Sequence, residues 1–413
     1  MWEEMGLRRI FPRLPSKSLM RFKCVRKSWY TLISNPTFVE NHLSNSMHNK
    51  LSTCVLFSRF VQSDTNPSEK ELAFSFLYLR NDYDDAEHNI NFFVEDIKFP
   101  LSSGQYIGLE VIESPYVIGH CDGIVCLNDS SGNVILCNPA IKEIKLLAKS
   151  GLPDWWGCAV GIGYDPKSKD YKVSRIASYR AEVYGDGLVL FPPRVEIYAF
   201  NTDSWREIKN NSLETEATVL FPDYFQMYFQ GICYWVGYEQ PKQYGFYDDE
   251  EQKAMVILFD TSDEKFHHIL FPDSFYMYEE GSSFCYEMSY IMYCDLRIIL
   301  WNGSIALFGI NRFSAFPESY GVWVLDDFDG AKGSWTKHLT FDPLEGIKWV
   351  LEFWKSDEIL MVNEDGDVVS YTLQTQNKLK ILPMNIPSDF ETIVYINSLV
   401  SITGGNTLES VVI

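Results

Sequence analysis

The 413-residue sequence lacks the features of a secreted or membrane-spanning protein. It has no run of about 18 apolar residues, so we predict no membrane-spanning helix. Residues 1–5 lack the basic and apolar regions of a secretion signal. The nine cysteines are odd in number and include no C-x-x-C pair, which argues against a disulfide framework or a zinc knuckle. We therefore expect a cytoplasmic protein with reduced thiols.

The common signatures of catalysis and cofactor binding are missing as well. The sequence has no H-E-x-x-H, G-x-S-x-G or Walker A motif, and Gly161-Ile162-Gly163 is a lone G-x-G. His120 and Cys121 are neighbours on a predicted strand and would point to opposite faces. Residues 363–367 resemble the start of a calcium loop, but Gln374 stands where Glu is required, so an Asp-Gly hairpin is favoured. We predict a non-catalytic protein without metal or other cofactor.

The charge is unevenly distributed along the chain. The net charge is −21, yet residues 1–50 hold nine Lys/Arg and three Asp/Glu, which gives +6. The remainder holds 26 basic and 53 acidic residues and carries −27. Such an acidic domain repels nucleic acid and anionic lipid, so we expect neither as a partner. It would attract a basic protein at low salt, although the charge could also serve solubility alone.

The N-terminal 45 residues have the pattern of short amphipathic helices. Apolar residues recur at three- and four-residue spacing between Leu14 and Leu32, with Lys and Arg between them. Pro15-Ser16 has the composition of a helix start, with Ser16 as the expected cap. A stretch this short cannot bury a core alone. It must pack on the following domain or on a partner.

Residues 10–33, IFPRLPSKSLMRFKCVRKSWYTLI, resemble the plant F-box, and the resemblance continues through residues 34–38. It implies a three-helix F-box over residues 5–45 that docks on a Skp-type adaptor, itself attached to cullin and RING subunits. Trp29 is expected to pack inward and orient the helices. The matching positions carried over as adaptor-binding residues are Ile10, Phe11, Leu14, Pro15, Leu19, Phe22 and Val25.

Two residues depart from the F-box pattern. Arg9 stands where the family usually has an acidic residue. Pro12 falls inside the expected first helix, which it would shorten or kink. Both changes leave reduced adaptor affinity as an open alternative.

From residue 51 the pattern changes to short apolar strands separated by turn residues. Comparable turns at Asn138, Asn201, Asp260 and Asp326 follow one another at 63, 59 and 66 residues. Units of about four strands predict an irregular, kelch-like β-propeller over residues 51–403, with about six blades and a tail at 404–413. The apolar stretch 392–400 is expected to return to the first blade. A β-sandwich is the alternative.

The resemblance extends into this β-rich part. Residues 121–127, CDGIVCL, with Asn138-Pro139, are similar to a C-N-G-L-x-C-L … N-P run of plant F-box-associated domains. Residues 163–173 are similar to their G-x-D-x-x-x-x-D-Y-K-V run. The turns at 201–206 and 260–266 resemble pollen S-locus F-box proteins (S-locus F-box brothers) of rose-family fruit trees. That narrower likeness would place the protein in the pollen-tube cytosol.

Loops that combine Tyr with carboxylates are the candidate target-binding residues. Tyr anchors many interfaces, and carboxylates bind Arg or Lys through charge-assisted hydrogen bonds. A solvated turn is the alternative for each loop. The candidates are Asp82, Tyr83, Asp84, Asp85, Tyr247, Asp248, Asp249, Glu250, Glu251, Tyr278, Glu279 and Glu280.

The family resemblance implies the substrate-recognition subunit of an SCF-type E3 ubiquitin ligase. The S-locus likeness implies that its targets are non-self S-ribonucleases, basic proteins of gametophytic self-incompatibility. The alternatives are a β-propeller scaffold that no longer binds the adaptor, and a general F-box adaptor for another plant target. An enzyme built on a propeller would need a metal or paired-carboxylate constellation, which the sequence does not show.

Overall fold

The computed structural model describes most of the chain outside the N-terminus, the C-terminus and several loops. The described residues are 10–48, 53–62, 70–81, 90–102, 105–107, 110–112, 115–129, 131–152, 157–183, 187–209, 212–245, 253–272, 296–311, 319–326, 328, 333–342, 344–355, 358–373, 377–382 and 390–403.

Short helices open the described chain, as the amphipathic pattern predicts. A 3₁₀ turn at Phe11–Arg13 is followed by α1 (Ser16–Lys23), α2 (Lys27–Ile33) and α3 (Pro36–His48). Pro12 lies inside this 3₁₀ turn, and Ile10 directly before it is helical. The predicted shortening of the first helix by Pro12 stays a prediction, because residues 1–9 lie outside the described part. The predicted Ser16 cap is wrong, because Pro15 holds the cap position and Ser16 begins the helix as a buried residue. No helix in the described residues is long and apolar enough to cross a membrane.

The chain divides into two compact units. The first comprises residues 1–149 and 386–413, and the second comprises residues 150–385. The helices therefore cluster with the first two sheets and the C-terminal strand. The predicted division into 5–45, 51–403 and 404–413 stays a prediction, and residues 404–413 lie outside the described part.

The first unit contains two four-stranded antiparallel sheets and a small β-ribbon. The C-terminal strand β27 pairs with β1, so the expected return to the first blade is confirmed for residues 392–396, while residues 397–400 lie beyond the strand. One sheet has the order β27-β1-β2-β3 and the other β6-β7-β8-β9, while β4 pairs with β5. The strands are β1 (Thr53–Gln62), β2 (Lys70–Asn81), β3 (Ile90–Ser102), β4 (Gln105–Ile107), β5 (Glu110–Ile112), β6 (Tyr116–Cys121), β7 (Ile124–Asn128), β8 (Val134–Asn138), β9 (Glu143–Leu146) and β27 (Phe390–Ile396).

The second unit contains four antiparallel sheets, each built from four strands in meander order. They are β10 to β13 with β16 added to β12, then β14-β15-β17-β18, β19 to β22 and β23 to β26. The strands are β10 (Gly157–Asp165), β11 (Asp170–Val183), β12 (Gly187–Ala199), β13 (Ser204–Ile208), β14 (Thr218–Phe229), β15 (Ile232–Pro241), β16 (Gln243–Gly245), β17 (Lys253–Asp260), β18 (Lys265–Leu270), β19 (Arg297–Trp301), β20 (Ser304–Asn311), β21 (Ser319–Asp326), β22 (Ser334–Phe341), β23 (Ile347–Lys355), β24 (Glu358–Asn363), β25 (Val368–Thr372) and β26 (Asn377–Leu382).

Six antiparallel sheets of four strands among the described residues, one completed by β27 and one extended by β16, are the blades of a β-propeller. The predicted architecture of N-terminal helices followed by about six blades is therefore confirmed, and the β-sandwich alternative is wrong. Each blade coincides with one of the sequence units that the turn spacing separated.

Recurring two-residue turns join the first and second strands of three blades. Asp122-Gly123, Gln230-Gly231 and Asn302-Gly303 all have positive φ at both positions. This is the conformation of type I′ turns, which match the right-handed twist of a hairpin. The repeated X-Gly before an apolar strand is thus the local signal of a blade.

Each unit buries its own apolar clusters between sheets. In the first unit, Phe74, Val125, Ile135 and Tyr395 belong to one cluster that joins its two blades. In the second, Phe308 and Phe353 centre one cluster, and Trp323 belongs to another. The strands read as near-continuous apolar runs because blades are covered on both faces, which explains why helical periodicity disappears after residue 51.

Candidate functional site

The helical module is held together by an aromatic core. The Phe11 ring lies edge-on to the Trp29 ring at 5.2 Å between centroids, and Phe22 lies 5.6 Å from Trp29. Edge-to-face pairs of this kind add about 0.5–1.5 kcal/mol each beyond the area they bury. Trp29 therefore joins the first turn, α1 and α2. The structure supports the inward, orienting role expected for it.

The structure separates the seven sequence-predicted docking residues by exposure. Ile10 and Val25 are 58% and 62% exposed, and Pro15 is exposed too. Leu14 and Phe22 are half-buried and pack against the helical cluster.

The remaining two predicted docking residues are core residues. Phe11 is 4% exposed and Leu19 is fully buried. In this conformation they present almost no surface to a partner, and their assignment as adaptor-binding residues stays a prediction. The amphipathic pattern marks both kinds of apolar residue alike, because a buried face and a partner-binding face have the same spacing.

Two further apolar residues of the helices are exposed, and the sequence reasoning missed both. Tyr30 is 54% exposed, with the Lys23 ammonium 5.8 Å from its ring centroid, and Met47 is 51% exposed. Tyr30 follows Trp29 directly, and consecutive helical residues point about 100° apart, so an inward Trp29 was the available signal that Tyr30 points away from the core. Within the described chain, four of the eight exposed large apolar residues lie in residues 10–48. The helices thus carry more uncovered apolar surface than their length warrants.

Positive charge surrounds this apolar surface. Residues 10–39 contain six Lys/Arg and no Asp or Glu. Arg13, Arg21, Arg26 and Lys27 are exposed. Burial lowers the pKa of Lys23, while the charge of Glu143 acts in the opposite direction. An apolar centre with a charged rim is the usual composition of a transient protein interface.

The C-D-G and N-P motif residues of the second blade hold the C-terminal part of the chain. Asn138 Nδ2 donates to the Val400 carbonyl at 2.8 Å, and its Oδ1 accepts the Ala140 N–H at 3.0 Å. The Tyr395 hydroxyl donates to the Gly123 carbonyl at 3.2 Å. Asn138 is fully buried. These residues join the second blade to the C-terminal part of the chain, and the buried Asn138 side chain is not available to a ligand.

Residues 163–173, the G-x-D-x-x-x-x-D-Y-K-V motif, supply a buried ion pair that also contacts the neighbouring blade. Lys172 Nζ lies 2.8 Å from Asp165 Oδ2, 2.7 Å from the Thr261 carbonyl and 2.9 Å from Glu264 Oε1. Ser262 also donates to Asp165 at 2.6 Å. Although burial opposes ionisation, these bonds hold the pKa of Asp165 well below its usual range. This arrangement fixes the turn of β10–β11 against the turn of β17–β18.

The buried thiols and the buried imidazole of the described strands are unsuited to nucleophilic chemistry. Burial raises the pKa of the Cys126 and Cys233 thiols far above neutral and lowers the pKa of His120 to about 4. These thiols are therefore protonated, and thiolate is the reactive form.

Metal binding finds no support in the described residues either. No group of three or more His, Cys, Asp or Glu residues there is arranged to hold a metal ion. Asn363 Oδ1 accepts the Asp365 and Asp367 N–H groups at 3.1 and 2.8 Å, so this turn is the predicted hairpin.

All the sequence-predicted target-binding loops lie outside the described residues. Their members at 82–85, 247–251 and 278–280 therefore remain predictions. Strand β16 pairs with β12, with Gln243 opposite Val189, just before residue 246.

Comparison with known proteins follows the same division into helices and propeller. The family model described as F-box associated beta propeller domain matches residues 88–402. The F-box protein CPR1 of Arabidopsis thaliana is 23% identical over 412 residues, which cover 95% of this chain and 86% of that protein. An F-box/kelch-repeat protein of the same plant is 26% identical over 364 residues, covering 86% and 83%. These relatives agree with the F-box resemblance. They lend no support to the narrower S-locus likeness.

Proposed function

The chain belongs to the family with an F-box-associated β-propeller domain, and on that premise we propose that it is the substrate-recognition subunit of an SCF-type E3 ubiquitin ligase. In this role the helices bind a Skp-type adaptor and the propeller binds a target. Bringing target lysines close to a charged ubiquitin-conjugating enzyme raises their effective concentration. The chain itself performs no covalent step.

The uncovered apolar surface of the helices carries this proposal. Ile10, Val25 and Tyr30 are each more than half exposed, although the same short segment buries Phe11 and Leu19. Leaving such residues in water forgoes about 1.5–3 kcal/mol per large side chain that full burial would provide. A partner that covers them, and that is acidic at its rim, would match both the apolar centre and the surrounding Lys and Arg.

Binding of a purified Skp-type adaptor tests the proposal directly. Replacing Ile10 and Val25 by Asp places charge in the contact, and we expect each substitution to weaken the adaptor Kd about 10-fold or more. Phe191→Asp is the matched control, because Phe191 is 47% exposed but lies on β12. An unchanged Kd in the Ile10→Asp/Val25→Asp variant would contradict the proposed surface. A wild-type chain that does not bind the adaptor would be a β-propeller scaffold instead.

We further propose that the target is a basic protein, with S-ribonucleases as the candidate class. The support is the charge of −27 on residues 51–413 and the S-locus likeness of the turns at 201–206 and 260–266. In a panel of S-ribonucleases at two salt concentrations, we expect selective binding that weakens with salt. Asp and Glu at 248–251 changed to Asn and Gln should slow association at low salt. Adaptor binding without any ribonuclease binding would refute this target class and leave a general F-box adaptor.

A further inference from the structure

The chain that follows β27 forms a buried strap, here called the return segment and comprising residues 397–402. Ser398 is fully buried and its carbonyl lies 3.4 Å from Asn138 Nδ2. Glu143 Oε2 accepts the Ile402 N–H at 2.8 Å and the Ser401 hydroxyl at 2.9 Å. The return segment is therefore hydrogen-bonded to the last residue of β8 and to the first residue of β9.

One side chain of the return segment faces the helices. Leu399, only 3% exposed, belongs to the same buried cluster as Phe11, Leu19, Ile33 and Phe38. Ile141, from the turn between β8 and β9, is the other propeller member of that cluster. Four core positions of the helical module are thus completed by two residues that the second blade and the return segment provide.

Polar contacts hold the helices to the same sheets. Lys17 of α1 forms an ion pair with Glu95 of β3. Glu143, which binds the return segment, also interacts electrostatically with Lys23. The paired groups are partly exposed, so each pair contributes little to the free energy of folding. They do favour one orientation of the helices, which the non-directional apolar contact alone does not specify.

We infer that Leu399 is a positioning residue that sets the orientation of the adaptor-binding helices relative to the blades of the first unit. The inference rests on the proposed function, since it describes how that function's two surfaces are joined. Leu399 acts through Phe11 and Leu19 and leaves the exposed Ile10 and Val25 untouched. Its loss should loosen the seating of the helices while preserving the surface that binds the adaptor.

The test compares Leu399→Ala with two further variants in the full chain bound to its adaptor. Ile402→Ala is the matched control, because Ile402 is 1% exposed in the same segment but is not a member of the helical cluster. Leu399→Met restores a similar volume and should rescue the wild-type behaviour. Three quantities are measured: adaptor Kd, amide hydrogen exchange, and the set of lysines on the chain that are modified in a reconstituted ubiquitination reaction.

For Leu399→Ala we expect amide hydrogen exchange in α1–α3 to be at least 10-fold faster than in the wild type, and exchange in β6–β9 to be unchanged. The adaptor Kd should stay within twofold of the wild-type value. The modified lysines should spread to more positions, because a loosely seated propeller samples more orientations. Equal helix protection in Leu399→Ala and Ile402→Ala would overturn the inference. So would a 10-fold weaker adaptor Kd, which would make Leu399 necessary for forming the binding surface. If the wild-type chain itself fails to bind the adaptor, the proposed function fails, while the exchange comparison still decides the seating.

Discussion

Two glycines in identical turns allow the contribution of one contact to be measured. Gly123 and Gly303 occupy the second position of type I′ turns, with φ of +83° and +85°. A Cβ at Gly123 would stand 2.6 Å from the Ile396 carbonyl oxygen, closer than any such pair of atoms tolerates, whereas a Cβ at Gly303 meets nothing within 4 Å. An Ala at either position must adopt the strained left-handed backbone conformation. Only an Ala at 123 would also collide with the C-terminal strand and force it to move.

The expected costs follow from these two effects. Gly303→Ala should destabilise its hairpin by about 1 kcal/mol, since left-handed backbone costs a residue with Cβ roughly 1–2 kcal/mol. Gly123→Ala adds an overpacking cost of about 1–3 kcal/mol, for a total of about 2–4 kcal/mol. Native-state hydrogen exchange of the flanking strands, β6–β7 and β19–β20, reports each opening free energy in its own unit. Equal losses, within about 0.5 kcal/mol, would refute the contact with the C-terminal strand.

Three further predictions use the same kind of pairing. Asn138→Ala should lower the free energy of unfolding by about 3 kcal/mol because it leaves buried partners unsatisfied, while Asn201→Ala at the exposed corresponding turn should lower it by no more than about 0.5 kcal/mol. Urea unfolding compares the two variants, and similar values would contradict the role of Asn138. Because the pKa of Asp165 is depressed in the folded state, its ionised carboxylate stabilises the fold above the unfolded pKa of about 3.9, and this stability is lost as the pH falls further. Asp165→Asn should therefore destabilise the protein by about 3 kcal/mol at pH 7 and flatten this acid dependence in urea titrations. Burial lowers the pKa of His42, whose Nε2 lies 3.0 Å from the Leu14 carbonyl, so the folded helices favour the neutral imidazole. The helices should therefore lose hydrogen-exchange protection as the pH falls below about 6.5, and persistence of this loss in His42→Gln would exclude His42 as its origin.

The fold was largely predictable because its signals are local. Each blade repeats apolar strands between turns whose Gly, Asn and Asp residues adopt positive φ or bind nearby N–H groups, as at Asn302-Gly303 and Asp260. Such signals need no knowledge of distant residues.

The contacts between blades and the candidate site on the helices were less predictable, because both depend on residues that are distant in sequence. Lys172 and Asp165 are close in sequence. Thr261 and Glu264, which also bind Lys172, come from another blade, and no local sequence pattern predicts that contact. Likewise, the burial of Leu19 is decided partly by Leu399, far along the chain. Amphipathic spacing predicted which residues are apolar, and tertiary packing decided which of them are exposed.

The pairing of β27 with β1 has a consequence for synthesis on the ribosome. Cys54 Sγ lies 3.7 Å from the Tyr395 carbonyl, although 341 positions separate them along the chain. At 5–20 residues per second, the apolar edge of β1 waits roughly 15–65 seconds for its partner strand to be translated. An unpaired edge of this kind is a template for aggregation. Nascent chains, and any product that stops before residue 390, would therefore depend on chaperones to shield that edge.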